Sequence, residues 1–383
     1  MKTIGFPRMH KEKNEKRDFL PTFFAVLKNE KVQIFLEEGY GMALDYTKED
    51  YIKENEAIQF VSKRECYEKD VVVVLRSPEF KELDYMKKGS TLLSMLHYPT
   101  RAARIEKLKD KGIFAVSMDS IKNDFLERIV VNYEGTSGNG IDTAFTELAK
   151  TYENICIKDK KPIIVSVMGM GRVGLTAARL SSKYGNNKTT EDILRDKTKG
   201  VLVNLLSRNL TKDKNEMIKI LRKTDILVDA TTRDDSTKYI ISNELLGHLK
   251  QNSIILDLTA DPYLTDANSI QIKAIEGIPH GTLDKTVIYP DDDQYNNLPK
   301  SLKTLHRRTV VGCNAWPGVT PNACMDLYGK QLIYILQNLI VYSINDFDLS
   351  SNDYFNRAIY RGTIKYFEEC SNHYGDDLVN IVV

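Results

Sequence analysis

The sequence predicts an α/β protein built on parallel sheets. Three observations carry that expectation. Short apolar runs of strand length alternate with helical patterns through about the first 130 residues. The alternation resumes near Lys161. Between a strand-like run, Ile163 to Met168, and a helix-like run carrying Val173, Ala177 and Leu180, stand Gly169, Gly171 and Gly174 in a G-x-G-x-x-G arrangement.

Each glycine of that turn has its own physical use. The first allows the tight turn, the second lets a pyrophosphate approach the backbone, and the third lets the helix lie close to the strand. The helix then offers its first N–H groups to the phosphates, with Arg172 and Val173 opening it. Placed between strand and helix, the motif predicts a dinucleotide site; a glycine-rich turn without a ligand is the alternative. At 383 residues the chain is long enough for two domains. The expectation is therefore two Rossmann-like domains with parallel sheets and an interdomain cleft. Residues 136–324 would form the dinucleotide-binding domain, and 1–135 with 325–383 a discontinuous substrate domain closed by returning helices.

Taken in order, residues 2–6 read as a strand, KEKNEKR as a polar loop, and Phe19 to Leu27 as the start of a helix. Val32 to Phe35 is strand-like and leads into Glu37-Glu38-Gly39-Tyr40-Gly41, and 47–66 reads as a charged helix. Val71 to Leu75 is a buried strand broken by Arg76-Ser77-Pro78; Thr91 to Leu96 is the next and ends on His97. An amphipathic helix, Arg101 to Lys109, precedes a strand at 112–116. Tyr133 to Gly140 (YEGTSGNG) reads as a turn-rich hinge, with a helix after it from Thr143 to Tyr152. In the second half, strands are expected at 201–206, 225–230, 253–258 and 310–313, with a polar surface connection at 182–199. Residues 277–300, rich in Pro, Gly and Asp, read as an ordered loop. A long helix from Met325 to Ile344 and another over 352–372 end the chain.

Composition excludes several classes. Lys+Arg 54 against Asp+Glu 53 leaves no electrostatic footprint for nucleic acid or an anionic membrane. Cys66, Cys156, Cys313, Cys324 and Cys370 are scattered and lack C-x-x-C spacing, which predicts neither a disulfide framework nor a zinc site and fits a reducing compartment. The N-terminus has no apolar stretch of signal-peptide length, and Leu332 to Ile344 is too short to span a bilayer. A cytoplasmic protein without membrane or nucleic-acid partners is expected, its partner a small molecule. The 332–344 helix reads as core, which leaves a homo-oligomer open.

In open parallel sheets ligands bind beyond the C-terminal strand ends, so the polar residues there define the candidate site. They are Arg76 and His97 in the first half, and Ser207-Arg208, Thr231-Thr232 and Asp257 to Asp261 in the second. His97, with an ordinary pKa near neutrality, suits general acid–base work; the alternative is a histidine bonded to a loop. Arg17 and Arg76 are candidates to grip a substrate carboxylate bidentately, against a plain surface ion pair. Arg101 and Arg104 read as a solvated helix face. The second strand of the dinucleotide unit ends Leu206-Ser207-Arg208, with no acid for a ribose 2′-hydroxyl. An arginine and a hydroxyl match a 2′-phosphate better, which favours NADP over NAD. Asp257 and Asp261 are placed to orient an amine or water; for Asp261 the alternative is a cap in the turn before Pro262.

These pieces in this order resemble the alanine dehydrogenase/pyridine nucleotide transhydrogenase superfamily, which includes saccharopine dehydrogenases and N5-(carboxyethyl)ornithine synthase. The resemblance runs from about residue 2 to 345. IGFPRMHKEKNEKRDFLP resembles the family opening and implies that Arg17 is the substrate-carboxylate arginine. LEEGYGMALDYTKEDY resembles the next family block. MKKGSTLLSMLHYP implies that His97 is the catalytic histidine, LDLTADPY that Asp261 is the catalytic aspartate, and NAWPGVTPNACMDLYGKQL that Asn314 lies near the nicotinamide. The basic strand end is most similar to the NADP-using carboxyethylornithine synthase branch. The implied activity is an NAD(P)-dependent oxidoreductase acting on the CH–NH bond of an amino acid or opine. NAD-linked alanine dehydrogenase, or a nucleotide-binding subunit without chemistry, are the alternatives. Two departures stand out. Arg76 occupies the position of a family lysine and cannot accept a proton near neutral pH. Segment 277–300 matches no typical family segment; His280 and Asp291 to Asp293 there read as a solvated acidic turn rather than contacts to a cationic substrate.

Overall fold

The computed structural model describes residues 1–374 except 10, 29, 153–159, 234, 260–262 and 267–268, with backbone alone at 264–266, 269–270 and 372–374. These residues form two compact units. The first comprises Met1–Lys11, Glu15–Asn132 and the chain from Pro321 on; the second comprises Glu12–Asn14 and Tyr133–Thr320.

The first unit runs β1 (Lys2–Phe6), α1 (Pro21–Ala25), β2 (Val32–Glu37), α2 (Lys48–Glu54), β3 (Ile58–Val61), α3 (Lys63–Tyr67), β4 (Val71–Arg76), α4 (Phe80–Leu83), β5 (Thr91–Met95), α5 (Ala102–Asp110) and β6 (Phe114–Ser117). Its sheet has the order β3-β2-β1-β4-β5-β6, and every pair is parallel. A parallel sheet is covered on both faces, which is why Val71 to Leu75 is an unbroken apolar run and wholly buried. The order reverses between β1 and β4, so the crevice for a ligand opens past Phe6 and Arg76.

The charged helix expected over 47–66 is instead α2, β3 and α3. Capping boxes from Thr47 and Ser62 start the two short helices. Asn55 ends the first by donating its side-chain amide to the Phe24 carbonyl at 3.1 Å. Four residues then pair with β2 at the sheet edge, a strand too short for its alternation to stand out against flanking charge.

The second unit continues with α6 (Tyr133–Thr151), β7 (Ile163–Met168), α7 (Arg172–Ser181), α8 (Lys188–Lys197), β8 (Val201–Leu206), α9 (Arg208–Lys212), α10 (Lys214–Leu221), β9 (Ile226–Asp229), α11 (Asn243–Leu246), β10 (Ile254–Asp257), β11 (Leu264–Asp266), β12 (Ser269–Gln271), β13 (Val287–Ile288) and β14 (Thr309–Gly312). Its main sheet has the order β13-β14-β10-β9-β7-β8, parallel except for β13, while β11 and β12 pair separately. Alternate residues face two cores. Ile226, Val228, Ile254 and Leu256 lie on the side of α6 and α7, and Leu227 and Ile255 on the side of α10 and α11.

The hinge expected at 133–140 is the first two turns of α6. Its glycines are there for approach rather than for turning. A Cβ on Gly140 would stand 2.6 Å from Leu258 Cδ2 and 3.1 Å from Leu256 Cδ1, so the helix lies directly on β10. Each such glycine costs a helix about 1 kcal/mol relative to alanine. Burial of Ile141, Ala144, Phe145 and Leu148 offsets that cost. The 182–199 connection carries α8, and the 277–300 loop carries β13 and a 3₁₀ turn at Asp293–Tyr295.

Three helices end the described chain and return to the first unit: α12 (Pro321–Val341), α13 (Tyr354–Arg361) and α14 (Ile364–Tyr374). Cys324, Met325, Tyr328, Leu332 and Ile335 of α12 join its core. The single helix expected over 352–372 is broken at Gly362-Thr363. There the Ser117 N–H donates to the Gly362 carbonyl at 2.6 Å and Thr363 bridges Val116, which covers the β6 edge.

Candidate functional site

In the first unit, the chain leaving β1 folds back over the strand ends. Buried aromatic residues hold it there. The Phe19 N–H donates to the Tyr40 hydroxyl at 3.0 Å, the Tyr51 hydroxyl donates to the Phe19 carbonyl at 2.8 Å, and Asp18 accepts the Gly41 N–H at 2.9 Å. Gly41 has φ +80°, and a Cβ on it would strike the Tyr51 hydroxyl at 2.3 Å, so the Glu37–Gly41 block serves as a clamp for residues 15–19.

That clamp places Arg17, which is 6% exposed, against Glu15. Arg17 Nε donates to Glu15 Oε1 at 2.6 Å and its terminal nitrogen to Oε2 at 3.2 Å, while Arg76, at the end of β4, donates to Oε2 at 2.7 Å. The two arginines singled out from sequence are thus brought together, and the residue that joins them, Glu15, was missed. The E-x-R spacing was the signal. Burial alone would raise the Glu15 carboxyl, but the charges and hydrogen bonds of Arg17 and Arg76 outweigh it and hold the group below its ordinary range. Two guanidinium charges against one carboxylate leave the trio net positive, which suits an incoming carboxylate. Arg104 departs from the solvated face expected of it: its Nε is buried, and its guanidinium lies 6.0 Å from the Phe80 ring centre.

His97 follows β5, the neighbour of β4. Its backbone sits in the left-handed region at φ 50°, ψ 55°, a conformation that histidine tolerates better than most residues and that costs of order 1 kcal/mol. The side chain is exposed, and its Nδ1 lies 3.3 Å from Asp119 Oδ2. Asp119 is a second residue that sequence reading missed; it stands two residues past the end of the adjacent strand β6. Its Oδ1 accepts the Ser117 hydroxyl at 2.6 Å and the Leu96 N–H at 3.0 Å. Burial would raise this carboxyl, but the hydrogen bond and charge of His97, with the Ser117 hydroxyl and Arg128, hold it well below the usual range. With Nδ1 on Asp119, Nε2 is left for a ligand.

In the second unit, the three glycines of the turn have three different surroundings. Gly169 has φ +94°, and a Cβ there would fall 2.3 Å from the Ala230 carbonyl oxygen. A Cβ on Gly174 would fall 2.0 Å from the Gly169 carbonyl oxygen. A Cβ on Gly171 would meet nothing within 4 Å. The protein's own backbone therefore demands the first and third glycines, and the middle one opens onto free space. That is the fit expected of a turn approached by a pyrophosphate. Arg172 begins α7 exposed, while Val173 is half-buried and its carbonyl accepts the Ser137 hydroxyl at 2.9 Å.

The other candidates divide. Ser207 caps α9 by accepting the Leu210 N–H at 3.4 Å, and Arg208, the first residue of that helix, is exposed. Thr231 lies beside the glycine turn and bonds Asp229; Thr232 next to it is exposed. Asn314 donates its backbone N–H to the Gly281 carbonyl at 3.0 Å and its amide to Glu12 Oε1 at 2.6 Å. Its Oδ1 is buried without a partner among the described residues. Asp261 lies outside the described residues. Asp257 is not placed to orient a substrate: it is 3% exposed and paired with buried Lys273 at 2.5 Å. His280 is half-buried, and Asp292 pairs with Lys285 at 2.8 Å. No disulfide joins the described cysteines, no cluster of described residues could hold a metal ion, and no described helix is long and apolar enough to cross a membrane.

Two outcomes follow. Glu15→Gln leaves the buried Arg17 without its counter-charge and should destabilise the protein by about 3–5 kcal/mol in chemical denaturation. Gly171→Ala should cost under about 1 kcal/mol of stability yet weaken dinucleotide binding. Gly174→Ala, forced against backbone, should lower both by comparison. Titration calorimetry beside denaturation separates the two cases.

Comparison with known proteins bears on the whole chain. Residues 7–129 match the model "Alanine dehydrogenase/PNT, N-terminal domain" and 154–267 match "Alanine dehydrogenase/PNT, C-terminal domain". Alanine dehydrogenase of Bacillus subtilis (strain 168) is 20% identical over 267 residues, 67% of this chain and 70% of the relative. Alanine dehydrogenase of Mycobacterium tuberculosis (strain ATCC 25618 / H37Rv) is 19% identical over 268 residues, 67% of this chain and 72% of the relative. Among solved structures, an L-alanine dehydrogenase superposes with TM-score 0.69 at 16% identity, covering 94% of both chains. A transhydrogenase from Sinorhizobium meliloti superposes with TM-score 0.62 at 15% identity, covering 88% of this chain and 94% of that one. Both halves of the family are present in family order, and the chain belongs to the alanine dehydrogenase/transhydrogenase superfamily.

Proposed function

We propose that the protein is a nicotinamide-nucleotide-dependent oxidoreductase acting on the CH–NH bond of an amino acid or opine, reversibly joining a 2-oxo acid to an amine with reduction of the imine. The observation that carries this reading is the divided glycine turn, in which only Gly171 opens onto free space. When bound, the reduced nucleotide supplies a hydride to the imine carbon, and the chain's residues supply orientation and proton handling. The Arg17–Glu15–Arg76 trio supports carboxylate binding by its net positive charge. Because both guanidiniums already share Glu15, the trio acts as one preorganised unit. Arg76 in place of a lysine limits that position to charge and hydrogen bonding. Proton transfer falls to His97. Nε2 gives a proton to the hydroxyl that leaves the carbinolamine as water and recovers one in the reverse direction, while Asp119 holds the ring and stabilises its charged form. Asp261 would orient the amine or water, and Asn314 would lie near the nicotinamide.

NADP is the favoured nucleotide, because β8 runs into Ser207 and Arg208 with no acid at its end. The names of the curated relatives favour a second reading, alanine dehydrogenase with NAD. The His97–Asp119 pair argues against a nucleotide-binding subunit without chemistry.

The activity is tested by following reduced nucleotide by absorbance, with pyruvate or 2-oxoglutarate offered against ammonia, ornithine or lysine. Absence of turnover with every pairing would defeat the proposal. His97→Asn, which keeps a residue tolerant of the left-handed backbone, should lose turnover by about 10²–10⁴ while nucleotide affinity is unchanged. Arg208→Ala should weaken NADP binding more than NAD binding; an equal loss for both rejects the NADP assignment.

A further inference from the structure

The last residues of β9 and β10, Asp229 and Asp257, are partners in the parallel register. Each begins a D-x-T turn. Asp229 Oδ1 accepts the N–H and hydroxyl of Thr231 at 3.1 and 2.7 Å, and Asp257 Oδ1 accepts those of Thr259 at 2.9 and 2.7 Å. The second oxygens differ. Asp257 Oδ2 takes Lys273 Nζ at 2.5 Å, while Asp229 Oδ2 is buried and has no partner among the described residues. Asp229 is fully buried, and Asp257 and Lys273 nearly so.

Charge decides what this cluster is. Two ionised carboxylates with one ammonium would strand a negative charge where burial makes it most expensive. The cluster is neutral when Asp229 keeps its proton. Burial first, and then the charge of Asp257, push the Asp229 carboxyl well up from the usual range; Lys273 pulls Asp257 down against its own burial. Among the described residues, Lys273 is the cation whose charge acts on both carboxylates. On the β7 side the register partner is Met168. Tyr263, whose ring centre lies 6.0 Å from Lys273 Nζ, stays a neutral phenol because burial raises it. The Arg233 guanidinium donates to the carbonyls of Ser236, Lys238 and Ile272.

The cluster also touches the glycine turn through its backbone. The Ala230 N–H donates to the Met168 carbonyl at 2.9 Å, and the Ala230 carbonyl and Thr231 nitrogen are the atoms that forbid a Cβ on Gly169. We propose that Asp229 is a positioning residue of the nucleotide site that works as a neutral carboxylic acid. It holds the Ala230-Thr231 turn against Gly169 while adding no negative charge beside the place of the pyrophosphate. This rests on the nucleotide reading given above. Ionising Asp229 repels the phosphates, so by linkage binding the nucleotide favours the proton on Asp229.

The test is titration calorimetry of NAD and NADP with the full chain, from about pH 6.5 to about pH 9, in buffers of different ionisation enthalpy. Wild type should take up a proton on binding and lose affinity on the order of tenfold toward the alkaline end. Asp229→Asn, which keeps an acceptor for Thr231 but cannot ionise, should bind with a flat profile and no Asp229-linked uptake. Asp229→Ala should bind more weakly at every pH and be rescued by the asparagine. Tight binding to wild type with no proton uptake overturns the proposal whether or not the variants fold. Identical pH profiles for wild type and Asp229→Asn overturn it as well, and either result leaves the nucleotide reading standing. No binding of either nucleotide at any pH overturns both.

Discussion

Parallel pairing is the constraint on which the rest of this structure depends. Strands that run the same way need a crossover between each pair, so every strand of a sheet delivers its C-terminal end to one edge. Chain entering a loop at that edge must satisfy its polar groups, and the polar residues at strand ends therefore collect there. In the first unit this gathers Arg76 from β4, His97 from beyond β5 and Asp119 from beyond β6 along a single edge. In the second it gathers the glycine turn after β7, Ser207 after β8, and the two D-x-T turns after β9 and β10.

The charges along these edges are handled in two ways. Around Glu15 the cations outnumber the carboxylate, and the excess is positive at a place suited to an acid substrate. Around Lys273 the carboxylates outnumber the cation, and full burial turns that excess into a proton held on Asp229. The same low dielectric acts in both places. The outcome differs because a guanidinium stays charged under protein conditions, whereas a carboxylic acid can be neutralised.

Most of the strands were legible from sequence, because a parallel strand covered on both faces is a continuous apolar run that little else imitates. Val71 to Leu75 and Ile163 to Met168 are of that kind. The misreadings fell where local signals compete. Ile58 to Val61 is a four-residue edge strand between two capped helices, and its alternation is too brief to register. YEGTSGNG has the composition of a turn but is helix, because its small residues let α6 press onto β10. Gly362 has the look of a residue inside a helix, yet the chain breaks there to cover β6.

The sequence by itself determined the strand and helix periods, the glycine spacing, and hence the α/β class and the place where a dinucleotide turn would form, because these are set by neighbours along the chain. It also named Arg76 and His97 from their types and positions at strand ends, and Arg17 from the motif that opens the chain, since these are local facts. Only the tertiary structure decided what those residues touch. Glu15 between two arginines, Asp119 behind His97 and the shared Lys273 are pairings across strands, where the register of a sheet and the depth of burial choose the partner. Register and burial are properties of the folded chain, and with them comes the charge that each site carries.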